Sequence, residues 1–415
     1  MAKIIIKNVG PIKKAELELN KINVFMGPQS SGKSTIAKLI SYCQWVEKRY
    51  ILDGEYKEKV DKQLLKFHHL DANYFEDNSN FEYESDFVRI KYSGIELTEE
   101  IVIKENKILD YKKSKNINIP AERNFISVIP NLGKYNENND NIMSLIYDWF
   151  SAKKSITKEQ SISVLNFNIN YYNNDNSDQD ILVLNETNKE ISLNTGSSGL
   201  QSITPLIVIL EYLTKNIYEE KKALSPKEKR HLIDIVDQYI PNFSLGQEQL
   251  EKFFDTLSKE EKENFAENIQ KMNSVIGYRS KYMMTSFIIE EPEQNLFPEA
   301  QRDLVYYILE KLQSEREHSL TMTTHSPYIL YALNNCMLGG LVYDKMSDED
   351  KKKVNCQSAL INPKKVSIYE IRNGVLTQKD IQQEDGLIGA NYFDQNMKAL
   401  MDDFYVFLKY YDDEE

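Results

Sequence analysis

Residues Gly27-Pro28-Gln29-Ser30-Ser31-Gly32-Lys33-Ser34-Thr35 fit the pattern G-x-x-x-x-G-K-[ST], a phosphate-cradling loop. Gly27 and Gly32 permit backbone angles that let successive N–H groups converge on phosphate oxygens. Lys33 brings a point charge to the β- and γ-phosphates, and Ser34 offers a hydroxyl to Mg²⁺. Gln29, Ser30, Ser31 and Thr35 complete the loop as candidate nucleotide contacts. The flanks agree with the motif. Ile22 to Met26 is a short apolar run before it, and Ile36, Leu39, Ile40, Cys43 and Val46 recur at helical spacing after it. A strand, a glycine loop and a helix N-terminus make an anion site by geometry and dipole, so the chain is expected to be α/β.

The 415 residues suggest about two or three domains. With 41% hydrophobic and 28% charged residues, the composition suits a water-soluble protein with a sizeable core. No run approaches the roughly 18 apolar residues of a membrane helix. The first residues enter a strand directly and show no signal peptide, so a cytoplasmic location is expected. Cys43, Cys336 and Cys356 are far apart and are expected to be buried reduced thiols, forming no metal or redox pair. A net charge of −13 argues against wrapping nucleic acid over the whole surface. Local basic runs remain at Lys112, Lys113 and Lys115, from Lys221 to Arg230, and from Lys351 to Lys353. They read as solvated faces or as local nucleic-acid contacts.

Along the chain, Ile4 to Val9 and Ala15 to Leu19 read as strands joined at Gly10-Pro11. Trp45 to Asp71 is helical and charged. Phe81 to Asp110 alternates apolar and polar residues and predicts an antiparallel meander, which a purely parallel P-loop fold would lack. Ile117 to Ala121 is a short strand leading to Arg123, which is either a packing arginine or an active-site residue after a sheet strand. Ile142 to Phe150 is an amphipathic helix. Strand alternation returns at 162–172 and 180–193 around the polar loop Asn173 to Asp178. Glu219 to Tyr282 predicts a compact helical insertion with N-caps at Ser225 and Ser258. Gly340 to Tyr343 and Lys365 to Tyr369 read as strands, with a turn at Gly374. The tail from Asn391 is expected to be a helix with a solvated acidic end, Asp412 to Glu415.

Three further motifs carry chemistry. Thr195 to Ser202 is a Gly/Ser cluster before an apolar helical run, a second potential anion site. Met283 to Ile289 is an apolar strand ending in Glu290-Glu291-Pro292-Glu293, where an α/β sheet places its ligand site. Alternation of faces lets Glu290 join a Mg²⁺ shell while Glu291 reaches a water near the γ-phosphate. Leu320 to Thr323 is another strand, followed by His325, whose imidazole N–H suits a γ-phosphate contact.

In this order the motifs resemble the ABC-type ATPase head of the SMC, RecF and overcoming-lysogenization-defect group. Gly27 to Thr35 matches Walker A, and Phe287 to Glu291 matches Walker B with the catalytic glutamate. Ser198-Gly199-Leu200-Gln201 resembles the signature motif, Pro292 to Phe297 the D-loop, and His325 the switch histidine. The resemblance covers the chain to about Asp380, apart from the helical insertion. Leu200 stands where a second glycine is usual and Ser197 where leucine is usual. Walker B ends in Glu290 rather than Asp. No Q-loop glutamine stands out, and the 120–123 segment takes that place.

The resemblance implies a P-loop ABC-type head with a mixed sheet, an antiparallel β subdomain and a helical insertion. Its divisions are a first lobe at 1–218, the insertion at 219–282, a second lobe at 283–380 and a tail at 381–415. It implies ATP and Mg²⁺ as ligands, with Ser34 and Glu290 on the metal and Glu291 and His325 catalytic. Lys33, Ser198, Gly199, Gln201 and Arg123 would be nucleotide contacts. Two heads would sandwich two ATPs. Without a Toprim domain or a long coiled coil, the chain resembles stand-alone ATPases of anti-phage defence operons, as in PARIS systems. Their effector, a nuclease or toxin, is a separate protein. The alternatives are a RecF-like DNA-handling ATPase and a scaffold that binds ATP but scarcely hydrolyses it. A membrane partner is not expected.

Overall fold

The computed structural model describes residues 2–54, 61–96, 98–129, 132–135, 140–220, 224–239, 258–378 and 381–411. Strands β1 (Ala2–Val9), β2 (Ile12–Leu19) and β3 (Ile22–Met26) open the chain, and helix α1 (Lys33–Asp53) follows. In β2, Ile12, Ala15, Leu17 and Leu19 are buried while Lys13, Lys14, Glu16 and Glu18 face solvent, so one face of the ribbon joins the core. β4 (Phe75–Glu84), β5 (Val88–Ser93) and β6 (Thr98–Ile103) extend from β1 as the expected antiparallel meander. Of the helix expected to Asp71, α1 ends at Asp53, residues 55–60 lie outside the described residues, and Asp61–Phe67 is a π-helical turn.

β7 (Ser114–Ile119) leads to helix α2 (Asn141–Lys153). A separate four-stranded antiparallel sheet follows: β8 (Ile162–Ser163), β9 (Ile169–Asn174), β10 (Gln179–Leu184) and β11 (Lys189–Ser192). Trp149 of α2 anchors it, with its ring 6.1 Å from that of Tyr171. Of the polar block expected as a loop at Asn173 to Asp178, residues 175–178 are the turn of a hairpin. Asn173 and Asn174 belong to β9, because Asn173 pairs with Asp180 across the ladder.

Helices α3 (Ser198–Thr214), α4 (Pro226–Tyr239) and α5 (Lys259–Ser280) come next. α4 and α5 occupy the stretch expected to be a helical insertion, of which 221–223 and 240–257, with Lys221 and Lys222, lie outside the described residues. They pack Leu232, Ile235, Val236, Met272 and Val275 around Leu109. Ser225 and Ser258 cap them as expected, each exchanging hydrogen bonds with the residue three places on.

The closing elements are β12 (Met284–Glu290), α6 (Pro298–Leu312), β13 (Ser319–Thr323), α7 (Pro327–Val342), β14 (Val366–Arg372), β15 (Val375–Thr377) and α8 (Tyr392–Leu408). The main sheet has eleven strands in the order β6-β5-β4-β1-β2-β15-β14-β3-β13-β12-β7. The strands β14-β3-β13-β12-β7 are parallel, and the β14–β15 hairpin joins them to the antiparallel half. This is the expected α/β fold with a mixed sheet and an antiparallel β part. β3 lies in the middle, buried on both faces. Ile22, Val24 and Met26 pack into the core with Leu206, Leu304 and Leu330, while Phe25 joins Ile36, Leu39, Ile40, Cys43 and Val46 of α1 on the other side. Burial of each such side chain stabilises by about 1.5–3 kcal/mol. The loop after β3 is thereby held from both faces.

One expectation is corrected. Gly340 to Val342 end helix α7 rather than forming a strand, and Tyr343 starts a 3₁₀ turn. The apolar period of Ile329, Leu330, Leu333, Cys336 and Met337 carries the helix onward, and Gly339 and Gly340 let Leu360 and Ile361 approach its backbone. Cys43, Cys336 and Cys356 are free and buried, as expected, and Cys336 and Cys356 are neighbours in space. The Ile361 N–H bonds the Cys336 carbonyl at 3.1 Å and folds the segment back onto α7, so the two thiols hydrogen-bond. That bond lowers the Cys356 pKa to about 7 and raises that of Cys336. The tail is a helix as expected, with Met397, Leu400, Met401 and Phe404 exposed on it, and Asp412 to Glu415 lie outside the described residues.

A Cβ on Gly340 would stand 2.2 Å from the Ile361 carbonyl oxygen. Gly340→Val is expected to destabilise the fold by about 2 kcal/mol. Urea unfolding checks this as a lowered midpoint with an unchanged slope.

Candidate active site

The loop between β3 and α1 turns with positive φ at Gly27 (142°), Ser30 (57°) and Gly32 (102°). At Gly27 a Cβ would meet the Ile371 carbonyl oxygen at 2.4 Å, so only glycine fits between the loop and β14. Lys33 begins α1 and is 4% exposed. Its Nζ donates to the carbonyls of Gly27 at 3.0 Å and Pro28 at 2.8 Å, spanning the loop from within. Burial lowers its pKa to about 8, against the pull of Glu291 and Glu293. Ser31 Oγ is buried without a partner, a polar atom free for an anion's oxygen. Gln29 and Ser30 stand exposed at the lip, and Thr35 is buried one residue into the helix beyond Ser34.

Glu290 ends β12, with one parallel strand, β13, between it and β3. It is 7% exposed and hydrogen-bonds Ser34, and burial raises its pKa. A hydroxyl and a carboxylate side by side are the hard oxygen donors that Mg²⁺ takes. The raised proton affinity of Glu290 is what a divalent cation there would reverse. The pair therefore fits the metal role expected for it.

Glu291 follows with φ 44°, an uncommon conformation for a residue with a side chain. Its N–H bonds the Thr323 carbonyl at 3.1 Å. Its Oε1 lies 3.2 Å from His325 Nε2, and this bond lowers the Glu291 pKa. The side chains of Glu291 and His325 are 30% and 29% exposed, open enough to reach a ligand. Ser326 caps α7 at the Tyr328 N–H and contacts Gln301, which fixes the loop carrying His325.

Two residues take places that the sequence did not assign. Glu293 Oε1 accepts from the His325 N–H at 2.5 Å and from Thr324 Oγ1 at 2.9 Å. It ties the acidic turn to the histidine loop, and enclosure of its carboxyl raises its pKa. Its position as the last acid of Glu-Glu-Pro-Glu was the only signal. Arg123 is 1% exposed and donates to the carbonyls of Glu290 (3.1 Å), Glu291 (3.1 Å) and Pro292 (2.9 Å). Burial lowers its pKa to about 10. Its described hydrogen bonds all go to main-chain carbonyls, so the geometry gives it a positioning place under the turn.

The structure thus gathers the P-loop, Glu290, Glu291, His325 and Arg123 at one end of the parallel strands. Ser198, Gly199 and Gln201 stand beside the continuation of the acidic turn at 294–297 and beside Ser127. Ser197 caps α3, Gln201 Nε2 donates to the Asn194 carbonyl at 2.8 Å, and Ser202 Oγ donates to the Gln294 carbonyl at 3.0 Å. Gly199 sits against Asn295, and the turn lines a cavity of about 580 Å³ with Leu296 and the exposed Phe297. None of the described hydrogen bonds joins this turn to the P-loop.

No protein-family model matches the chain, and no curated protein matches it. Solved structures do. The SMC head domain from Thermotoga maritima is 10% identical, with 91% of this chain and 98% of that chain covered and a TM-score of 0.37. The recombination mediator RecF, solved with ATPγS in the RecFOR pathway, is 11% identical over 91% and 97%, with a TM-score of 0.31. An ATP-binding cassette, in a dimeric post-hydrolysis state with ADP and Pi, is 9% identical over 90% and 98%, with a TM-score of 0.27. All three scores are below 0.5, and the chemistry of this chain is read from its own residues. No helix among the described residues is long and apolar enough to cross a membrane.

The depressed pKa of Lys33 has a signed consequence. The unfolded chain holds this proton up to its ordinary 10.5 and the folded protein only to about 8, so the unfolded state binds more protons between them. The Lys33 contribution to stability is complete above 10.5 and is lost as pH falls through about 8. Ligand-free protein is therefore expected to gain stability from pH 8 upward relative to Lys33→Met, as urea midpoints at a series of pH values would show.

Proposed function

We propose that this chain binds and hydrolyses ATP as a nucleotide-gated switch that works as a head dimer. The observation carrying this reading is the convergence of Lys33, Ser34, Glu290, Glu291 and His325 on one glycine loop, with Ser34 on Glu290 and Glu291 on His325. The loop N–H groups and Lys33 would hold the β- and γ-phosphates. Mg²⁺, held by Ser34 and Glu290, would neutralise charge on those phosphates. Glu291 is ionised and partly exposed, so it can orient a water toward the γ-phosphorus. His325 can donate a hydrogen bond to a γ-phosphate oxygen. Arg123 holds the turn in place and acts through Glu290 and Glu291. Catalysis of this kind is mainly positioning and electrostatics.

The dimer reading rests on where the Ser198-Gly199 turn is packed. Within one chain the Ser198-Gly199 turn packs against the 294–297 loop, so a second copy is the natural source of that turn at a P-loop. A role in anti-phage defence, with a separate nuclease or toxin as effector, is supported by the sequence resemblance alone.

ATP turnover with Mg²⁺ tests the reading. Lys33→Ala is expected to lose nucleotide binding. Glu291→Gln should bind ATP, with turnover reduced by roughly 10²-fold or more. A Glu291→Gln protein with normal turnover would overturn the assignment. Strong stimulation by linear duplex DNA, lost at high salt, would move it to DNA handling. Arg123→Ala should cost turnover by roughly 10²-fold with little change in ATP affinity, and Arg123→Lys should restore part of it. Steady-state kinetics beside equilibrium nucleotide binding separates these effects.

A further inference from the structure

We infer that the polar cavity between α1, β7 and the start of α2 is a second binding site, for a small phosphorylated sugar or nucleoside. The cavity holds about 310 Å³, within the range of small-molecule sites. It opens along α1 at Ser41, Trp45 and Lys48, beyond the turn that carries the P-loop lysine.

Its lining is unlike that of a structural void. Lys48 and Arg49 of α1 and Lys115 of β7 border it, and no carboxylate does so among the described residues. Lys115 is paired with Asp148 at 2.7 Å and Arg49 with Asp53 at 2.9 Å. For Lys48 the described contact is the face of Tyr282, 4.8 Å from its Nζ. Burial first, and then the neighbouring cations Lys115, Lys113 and Arg49, hold its pKa well below the ordinary lysine value, against the pull of Glu228. A dianionic phosphate at this mouth would relieve that repulsion.

Deeper in, polar side chains stand without partners. Asn118 is 8% exposed, and neither its Nδ2 nor its Oδ1 is hydrogen-bonded. Asn141, 4% exposed at the start of α2, has a free Oδ1, and His68, 2% exposed, has a free Nδ1. Buried amides in this state destabilise a fold and call for an occupant with both donors and acceptors. Sugar hydroxyls are both. A phosphate at the cationic mouth with a hydroxylated body behind it matches the two zones. Trp45 and Tyr282 add flat apolar surface for a base or ring. Function held at a cost in stability is the mark of a binding site.

Calorimetric titration of the full chain carrying Lys33→Ala, which silences the P-loop, tests this apart from the ATPase reading. The probes are AMP and ribose 5-phosphate, with ribose as the uncharged control. At least one phosphorylated probe should bind saturably below about 1 mM, and ribose should bind about tenfold weaker or worse. Added Asn118→Leu should abolish binding while thermal stability stays level or rises, because it removes unpartnered polar atoms. Should Asn118→Leu fold poorly, Lys48→Gln at the partly exposed mouth decides, with an expected loss of about tenfold or more in affinity. Absence of saturable binding by both phosphorylated probes would mean a cavity filled by water alone and would overturn the proposal. So would binding undiminished in both variants, or ribose binding as tightly as its phosphate.

Discussion

A single buried guanidinium underlies the geometry of the acidic turn. Where β12 ends, the carbonyls of Glu290, Glu291 and Pro292 all meet one buried side chain. Arg123, on the loop after the adjacent β7, donates to all three. Charge-assisted hydrogen bonds are stronger than neutral ones, and a planar fork can serve several carbonyls that a lysine could not. Burial works against the charge, as the lowered pKa of Arg123 records, with nearby Glu293, Glu291 and Glu122 favouring it. The clamp lets Glu291 sit at φ 44°. A backbone in that region persists only where its surroundings over-determine it. Here they are Arg123 on one side and the Thr323 carbonyl on the other.

From that turn the three acids diverge in chemistry although they are near neighbours in sequence. Glu290 is enclosed and protonates more readily, and it faces the Ser34 hydroxyl. Glu291 is half open and held ionised by His325. Glu293 is spent on the backbone of the histidine loop, so the acid turn and His325 keep a constant separation. Environments that push like groups apart are how one site assigns different tasks to the same residue type. The central position of β3, with cores on both faces, sets the P-loop against this turn as a rigid counterpart.

Much of this was legible in the residues. The P-loop was readable because a run of consecutive residues has to satisfy one anion. The placement of Glu290, Glu291 and His325 at strand ends was readable, and strand ends in a parallel sheet are where ligands are expected. The antiparallel meander expected from Phe81 to Asp110 was readable from alternation of period two, although its first strand begins earlier, at Phe75, and its last ends at Ile103. Arg123 was visible as a residue but not as a clamp, since its three partners are more than 160 positions away. Glu293 looked like one more acid in a run. The end of α7 was misread because a short apolar stretch with glycines suits either a strand or a helix. The pairing of Cys336 with Cys356 depended on a chain reversal that neither cysteine announces.

The sequence by itself determined the local chemistry: a phosphate loop with its strand and helix, an acidic strand end, a histidine after a strand, and the alternation of a half-buried sheet. These follow from backbone geometry and periodicity within a few residues. Tertiary structure alone decided which distant groups meet. It put Arg123 under the turn, set Ser34 on Glu290, packed the Ser198-Gly199 turn against the 294–297 loop and gathered cations around a cavity that no carboxylate among the described residues lines. The physical reason is that hydrogen bonds and desolvation depend on distances across the fold, and no pattern along the chain encodes them.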